Sequence, residues 1–222
     1  MNNLILVRHG QSLWNQEKRF TGWADIDLTE KGKTEAAEAG GLIKKLNLNF
    51  HTCFTSKLTR AIRSSKIILK VLGDDKTKVV ESSALNERHY GDLTSLNKDE
   101  TIKKYGFDQV QVWRRSFDTA PPPMDEEHPY KNKIDSNILC ESLKDTFDRV
   151  VPYYIKQIEP LVKEKKNILI IFHGNSCRAL LMKIFNISKN KIVKFEIPTG
   201  NPLLIKFNNS KDVDYKYLNV NR

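Results

Sequence analysis

Two hydrophobic rhythms alternate along this chain: short unbroken apolar runs, and longer stretches where apolar residues return every three or four positions. Leu4–Val7 is such a run, and its lack of polar alternation predicts a strand buried on both faces. Downstream, Thr29 is placed to cap a helix whose apolar positions Ala36, Ala39, Ile43 and Leu46 share one face. A second strand is predicted to end at Phe54, after which Ser56 caps a helix carrying Leu58, Ile62, Ile68 and Leu72. Gly73-Asp74-Asp75 then turns the chain toward a third strand near Val79. The spacing of Leu143, Phe147, Val151, Ile155 and Ile158 predicts a helix from about Ser142 to Lys165, kinked or divided by Pro152. Ile168–Phe172 is another buried-type strand, followed by a helix through Ile187, and Leu203–Phe207 with Asp214–Tyr217 are expected to pair as an edge hairpin.

Strand and helix thus alternate, which predicts an α/β fold with a mostly parallel central sheet flanked by helices. Residues 93–137 break the rhythm. They are polar and basic, with three consecutive prolines at Pro121–Pro123, and read as stiff extended backbone rather than core. We take them as an excursion over one face of the domain, a lid. With 222 residues, 39% of them hydrophobic, and no internal repeat, the chain is expected to form a single domain over residues 1–222.

Charged residues make up 29%, and no stretch approaches the roughly 18 apolar residues a spanning helix needs. The Leu4–Val7 run has no basic region ahead of it and is too short for a signal peptide. A cytoplasmic location with no membrane partner is therefore expected. Cys53, Cys140 and Cys177 are odd in number, lack metal-ligand spacing and have apolar neighbours, so they read as small hydrophobes. The 37 Lys and Arg against 27 Asp and Glu leave a formal charge of +10, which favours acidic partners, either nucleic acid or small phosphorylated metabolites. Part of that excess is solvated surface, as in Lys163–Lys166, and no stripe of basic and aromatic residues tracks a nucleic acid strand, so none is expected as partner.

Two of the predicted strands end alike. Leu4–Val7 runs into Arg8-His9-Gly10, and Ile168–Phe172 runs into His173-Gly174-Asn175. Ligands of open α/β sheets bind outside the carboxyl ends of strands, so the two histidines are placed to face one another across a site. A metal centre is one reading of paired imidazoles, yet neither histidine has carboxylate-rich or His-x-x-x-His spacing, and Arg8 would repel a cation. Phosphate is the better match. A guanidinium fork binds phosphate oxygens bidentately, and a neutral imidazole is a competent nucleophile.

These residues resemble the histidine phosphatase superfamily, whose hallmark is Arg-His-Gly after the first strand. The similarity extends to the cofactor-dependent phosphoglycerate mutases through LVRHGQSLWNQEKRFTGWADIDLTEKG from Leu6 and CFTSKLTRAIRS from Cys53. It continues through LNERHYGDLTSLNK from Leu85, VWRRSFDTAPPPM from Val112 and HGNSCRAL from His173. The resemblance implies a three-layer, phosphoglycerate mutase-like fold. It also implies that His9 carries a phosphoryl group while His173, Arg8 and Arg60 stabilise the transferring oxygens, helped by Asn15. Glu87 would donate and accept the substrate's hydroxyl proton. Thr21, Gly22, Tyr90, Lys98, Arg114 and Arg115 would contact substrate, as would Gly174 and Asn175. The implied reaction interconverts 3-phosphoglycerate and 2-phosphoglycerate, with 2,3-bisphosphoglycerate as primer and intermediate, no metal, and a homodimer or homotetramer as the assembly. From spacing alone, an ion pair between Glu87 and Arg88 is the simpler reading of that glutamate. His51, His89 and His128 are read as structural or surface residues. Two alternatives remain at this point: a phosphatase using the same His9 chemistry on small monoesters, and a protein that binds phosphorylated or nucleic-acid ligands without turnover.

Overall fold

The structure, a computed structural model, describes residues 2–134, 136–207 and 213–219. Six strands form one sheet: β1 (Asn2–Arg8), β2 (Thr52–Thr55), β3 (Lys78–Glu81), β4 (Ile168–Phe172), β5 (Leu203–Phe207) and β6 (Val213–Tyr217). Their order is β3-β2-β4-β1-β5-β6, and β5 alone runs against the rest. The mostly parallel sheet and its closing edge hairpin match the sequence expectation. The hairpin's connecting residues, 208–212, lie outside the described residues.

Nine helices flank the sheet among the described residues: α1 (Leu13–Gln16), α2 (Glu30–Lys44), α3 (Thr59–Leu72), α4 (Lys98–Tyr105), α5 (Phe107–Arg115), α6 (Leu143–Tyr153), α7 (Glu159–Lys163), α8 (Gly174–Phe185) and α9 (Lys189–Ile192). Alternate strand residues point to opposite faces, and both faces are apolar. Leu4, Leu6, Ile168 and Ile170 pack with Val150 of α6 and Leu180 of α8, whereas Ile5, Val7, Leu169 and Ile171 pack with Ile43 of α2 and Ile68 of α3. Unbroken apolar runs were therefore the right signal for doubly covered strands.

Three local expectations are corrected. Thr29 does cap α2, accepting from the Gly32 N–H, but Ser56 does not cap α3. That helix begins three residues later, and Asp25, from a distant loop, takes the Thr59 N–H at 2.7 Å and its hydroxyl at 2.6 Å. The long helix expected from Ser142 is capped there and passes through Pro152, then widens into a π turn at Tyr154–Ile158 before α7. The wide turn lies between Pro152 and Pro160, neither of which can donate to the preceding turn. Residues 93–137 are also less extended than their composition implied. Asn97 caps α4 through the Asp99 and Glu100 N–H groups, and Gly106 at φ +83° ends it and opens α5. These helices have a small core of their own, Phe20, Leu93 and Val110, flanked by Tyr90, Ile102 and Trp113. The proline run keeps irregular backbone, within a stretch of turns and loop over residues 116–130.

The loop leaving β1 lies directly on the first turn of α2. A β-carbon on Gly10 would sit 2.0 Å from the Gly32 carbonyl oxygen, and one on Gly32 would sit 2.0 Å from the Gln11 carbonyl oxygen. Only backbone fits between them, so Gly32→Ala is expected to destabilise by about 3 kcal/mol. Gly41, in the same helix with open space around it, should instead gain about 0.5–1 kcal/mol as alanine. Urea unfolding of the two variants checks the contrast; equal effects would overturn it.

Candidate active site

The pocket opens at the carboxyl ends of β1 and β4, where parallel strands leave their ligand crevice. Backbone hydrogen bonds at the strand ends set its two histidines. The His9 N–H donates to the Phe172 carbonyl at 3.0 Å, and the Gly200 N–H donates to the Arg8 carbonyl at 2.9 Å, so this turn is pinned from both sides. His173 is the N-cap of α8, with its N–H donating to Ser176 Oγ at 3.1 Å. The two imidazoles lie 4.9 Å apart, centroid to centroid, tilted by 58°.

His9 Nδ1 lies 2.6 Å from the Gly10 carbonyl oxygen. A carbonyl only accepts, so Nδ1 carries the proton and the lone pair resides on Nε2. Burial, with Arg60 and Arg8 nearby, holds the His9 pKa well below the usual 6.5, and burial with Arg60, His9 and Arg8 does the same for His173. Both rings are neutral at physiological pH. Ser56, whose hydroxyl was expected at a helix start, instead lies 2.8 Å from His173 Nε2 and orients that ring.

Arg60, in the first turn of α3, is 1% exposed. It donates to the carbonyls of Gly22 at 2.7 Å and Ala24 at 3.0 Å, and burial lowers its pKa to about 10. Arg8 donates to the Ile197 carbonyl at 2.8 Å, and its buried Nε has no partner among the described residues. The Thr21 hydroxyl is likewise unpartnered, which leaves these groups for a bound ligand's oxygens. Asn15 uses its side-chain oxygen to accept the Ser12 N–H, leaving its amide nitrogen for the pocket it lines.

Glu87 reaches the same pocket from the loop after β3. Its Oε1 accepts from the Asn175 N–H at 3.0 Å and from the Arg88 N–H at 2.8 Å. The expected alternative, an ion pair with the Arg88 guanidinium, is not formed; that group donates to the Arg114 carbonyl and stacks on Tyr90. Gly174 stands at the convergence, since a β-carbon there would lie 3.7 Å from Glu87 Oε2 and 3.9 Å from Arg8 Cζ. Tyr90 accepts from the Asn175 side chain at 3.2 Å. Burial alone would raise the Tyr90 pKa, but Arg88, through charge and a hydrogen bond, and Lys98 bring it down to about 8. From the 93–137 segment, Lys98, Arg114 and Arg115 complete the wall, Lys98 donating to the Arg19 carbonyl at 3.0 Å.

Every catalytic or substrate-binding residue expected from the sequence thus lines this cavity of about 690 Å³ including its mouth, except His173, which is fully buried beside His9. Arg19, Phe20, Arg178 and Glu196 also line it and were not anticipated. Arg178 falls inside the HGNSCRAL block, one helical turn after Gly174 in α8. Arg19, Arg178 and the five anticipated cations face only two carboxylates, Glu87 and Glu196, so the cavity is built for a polyanion. Among the described residues, no three His, Cys, Asp or Glu side chains converge as a metal ligand set. Among the same residues, no helix is long and apolar enough to cross a membrane. Burial pushes the Cys53 and Cys177 thiols up to about 12, consistent with a packing role.

The chain matches the histidine phosphatase superfamily (branch 1) over residues 4–219. It is 47% identical over 225 residues to a 2,3-bisphosphoglycerate-dependent phosphoglycerate mutase of Treponema denticola, covering 97% of this chain and 91% of that one. The mutase of the same name from Pelagibacter ubique is 47% identical over 232 residues, covering 100% and 97%. In fold, the crystal structure of a putative alpha-ribazole-5'-P phosphatase from Escherichia coli superposes with a TM-score of 0.75 at 21% identity, covering 98% of this chain and 96% of that one. The chain belongs to the histidine phosphatase superfamily and, within it, to the family of 2,3-bisphosphoglycerate-dependent phosphoglycerate mutases.

Buried neutral histidines make stability pH-dependent. The unfolded chain binds protons at these rings near pH 6.5, whereas the folded protein does not. Stability is therefore complete above that pH and is lost as pH falls from 6.5 toward the folded values, at about 1.4 kcal/mol per pH unit per ring. His89, whose pKa is lowered to about 4 by burial and by Arg149, provides the test outside the pocket. His89→Gln should flatten the acid limb by about one proton in urea unfolding between about pH 4.5 and pH 6.5. An unchanged slope would refute the assignment.

Proposed function

We propose that the protein interconverts 3-phosphoglycerate and 2-phosphoglycerate through a phosphoryl group carried on His9 Nε2, in the cytoplasm and without a metal. The single observation behind the chemistry is the His9 ring. Its proton is committed to the Gly10 carbonyl, its pKa is depressed, and its free lone pair belongs to a side chain lining a cationic cavity. The shared name of relatives at 42–47% identity supports the choice of substrate.

In this reading Nε2 attacks phosphorus in line while the bond to the leaving ester oxygen breaks. Arg8 and Arg60 bind the three transferring oxygens and His173 donates a further hydrogen bond, with Asn15 and the Thr21 hydroxyl completing the cage. Phosphoryl transfer needs mainly such positioning and charge stabilisation. Glu87 gives its proton to the leaving oxygen and takes one back from the hydroxyl that attacks next. Lys98, Arg114, Arg115 and Tyr90 hold the remaining anionic groups of the glycerate, next to the main-chain groups of Gly22, Gly174 and Asn175. The cofactor 2,3-bisphosphoglycerate fits this donor set, being a polyanion in a cavity with excess positive charge, and supplies the phosphoryl group that primes His9. The 93–137 segment acts as a lid, keeping water from the phosphorylated ring.

Incubation with labelled bisphosphoglycerate should leave acid-labile phosphate on the protein, and His9→Asn should abolish both the label and isomerisation, a loss of about 10³-fold or more. Glu87→Gln should lower kcat by about 10²-fold or more. Isomerisation should persist with a chelator present. Absence of the label, or full turnover in either variant, would overturn the reading; phosphate release outpacing isomerisation would make the protein a phosphatase.

A further inference from the structure

Glu87 differs from the two histidines in how it is held. His9 and His173 sit directly after strands, His9 bonded to the Phe172 carbonyl of β4 and His173 to the first turn of α8, but Glu87 lies in irregular backbone between 3-10 turns at Ser83–Leu85 and Gly91–Leu93. One side chain from outside the pocket organises that loop. Arg149, on α6, donates through Nη1 to the carbonyls of Ala84 at 2.9 Å and Asn86 at 3.0 Å, and through Nη2 to the Glu87 carbonyl at 2.8 Å.

The guanidinium is itself locked. Its Nε and Nη2 pair with Glu141 at 2.6 and 2.9 Å, and the Glu141 side chain is only 2% exposed. Glu141 also accepts the His89 N–H at 2.8 Å and returns its own N–H to the His89 carbonyl at 2.9 Å. Trp23 lies 5.4 Å from the guanidinium and donates its indole N–H to the Glu87 carbonyl. Backbone on both sides of Glu87 therefore hangs from one ion pair. Loop carbonyls need some donor when buried, and a scattered set of neutral donors would satisfy them. A single planar fork reaching three of them does more, because it fixes their relative positions.

We propose that Arg149 is a positioning residue for proton transfer: locked by Glu141, it aims the Glu87 carboxyl at the substrate's ester oxygen without touching substrate. The inference rests on the reading of Glu87 as the acid. When the ester P–O bond breaks and the N–P bond to His9 forms, the proton of the Glu87 carboxyl passes to the departing oxygen, leaving a carboxylate. The reverse step returns it from the attacking hydroxyl.

The test exploits leaving-group chemistry. An alkyl phosphate such as 2,3-bisphosphoglycerate, the donor to His9 during isomerisation, needs that proton, while 2,4-dinitrophenyl phosphate expels a stable phenolate and does not. Glu87→Gln, Arg149→Met and Arg149→Lys are compared with the unaltered protein on both donors. All three should slow isomerisation, the first two by about 10²-fold with little change in KM, yet leave the single-turnover burst of dinitrophenolate, which precedes attack on the phosphorylated ring, within about threefold. Arg149→Lys keeps the charge but not the three-carbonyl fork, so it gives the same contrast if the methionine variant fails to fold. Should the arginine variants slow both donors alike, or neither, while Glu87→Gln keeps the contrast, Arg149 is a scaffold residue and the inference fails. Should Glu87→Gln itself treat both donors alike, Glu87 is not the acid, and that reading fails first.

Discussion

Guanidinium groups held by backbone carbonyls rather than by carboxylates are the constraint on which this site depends. Arg60 is anchored on Gly22 and Ala24, Arg8 on Ile197, and Arg178 on Phe195. A carbonyl dipole satisfies an N–H without cancelling its charge, so the pocket keeps a positive field that only a ligand neutralises. Cations away from the site behave differently: Lys18, Arg63 and Lys144 each pair with an aspartate at the surface. Carboxylate pairing near the pocket is confined to its more exposed arginines, where Arg115 meets an exposed Glu196 at 3.5 Å and Arg19 meets Glu17 at 2.7 Å.

The same field governs the histidines. Packed among arginines and shielded from water, neither His9 nor His173 can hold a proton at neutral pH. Burial thereby supplies what a nucleophilic imidazole requires, and the Gly10 carbonyl selects which nitrogen is free. The arrangement is costly for folding, because desolvated arginines and neutralised histidines oppose the compact state. Two apolar layers offset that cost, and the fully buried runs of β1 and β4 carry the histidines directly on their ends.

Much of this was legible in the sequence wherever the signal was local. Unbroken runs at Leu4–Val7 and Ile168–Phe172 announced doubly covered parallel strands, and the repeated His-Gly after each located the crevice. What escaped prediction was non-local. Asp25 caps α3 across the fold, which released Ser56 to hydrogen-bond His173, and nothing near position 56 signals that exchange. The helices α4 and α5 were hidden because their apolar face is small and is completed by Phe20, far upstream. Arg178 lay within a recognised block, but its place over the pocket depends on a hydrogen bond to Phe195 that spacing cannot show.

Positional precision in the site therefore comes from two sources of different character. A residue at a strand end inherits the stiffness of the sheet, since displacing it would break ladder hydrogen bonds shared with both neighbours. A loop residue inherits nothing, and whatever fixes it must be built from distant side chains. Glu87 has both ends of its constraint supplied this way: its carboxylate by the Asn175 N–H at the start of α8, its backbone by Arg149, Glu141 and Trp23. Because Asn175 follows His173 by two residues, the carboxylate is registered against the same strand end that carries the second histidine. Proton transfer and charge stabilisation are thus referenced to one rigid element, even though their residues lie more than eighty positions apart in the chain.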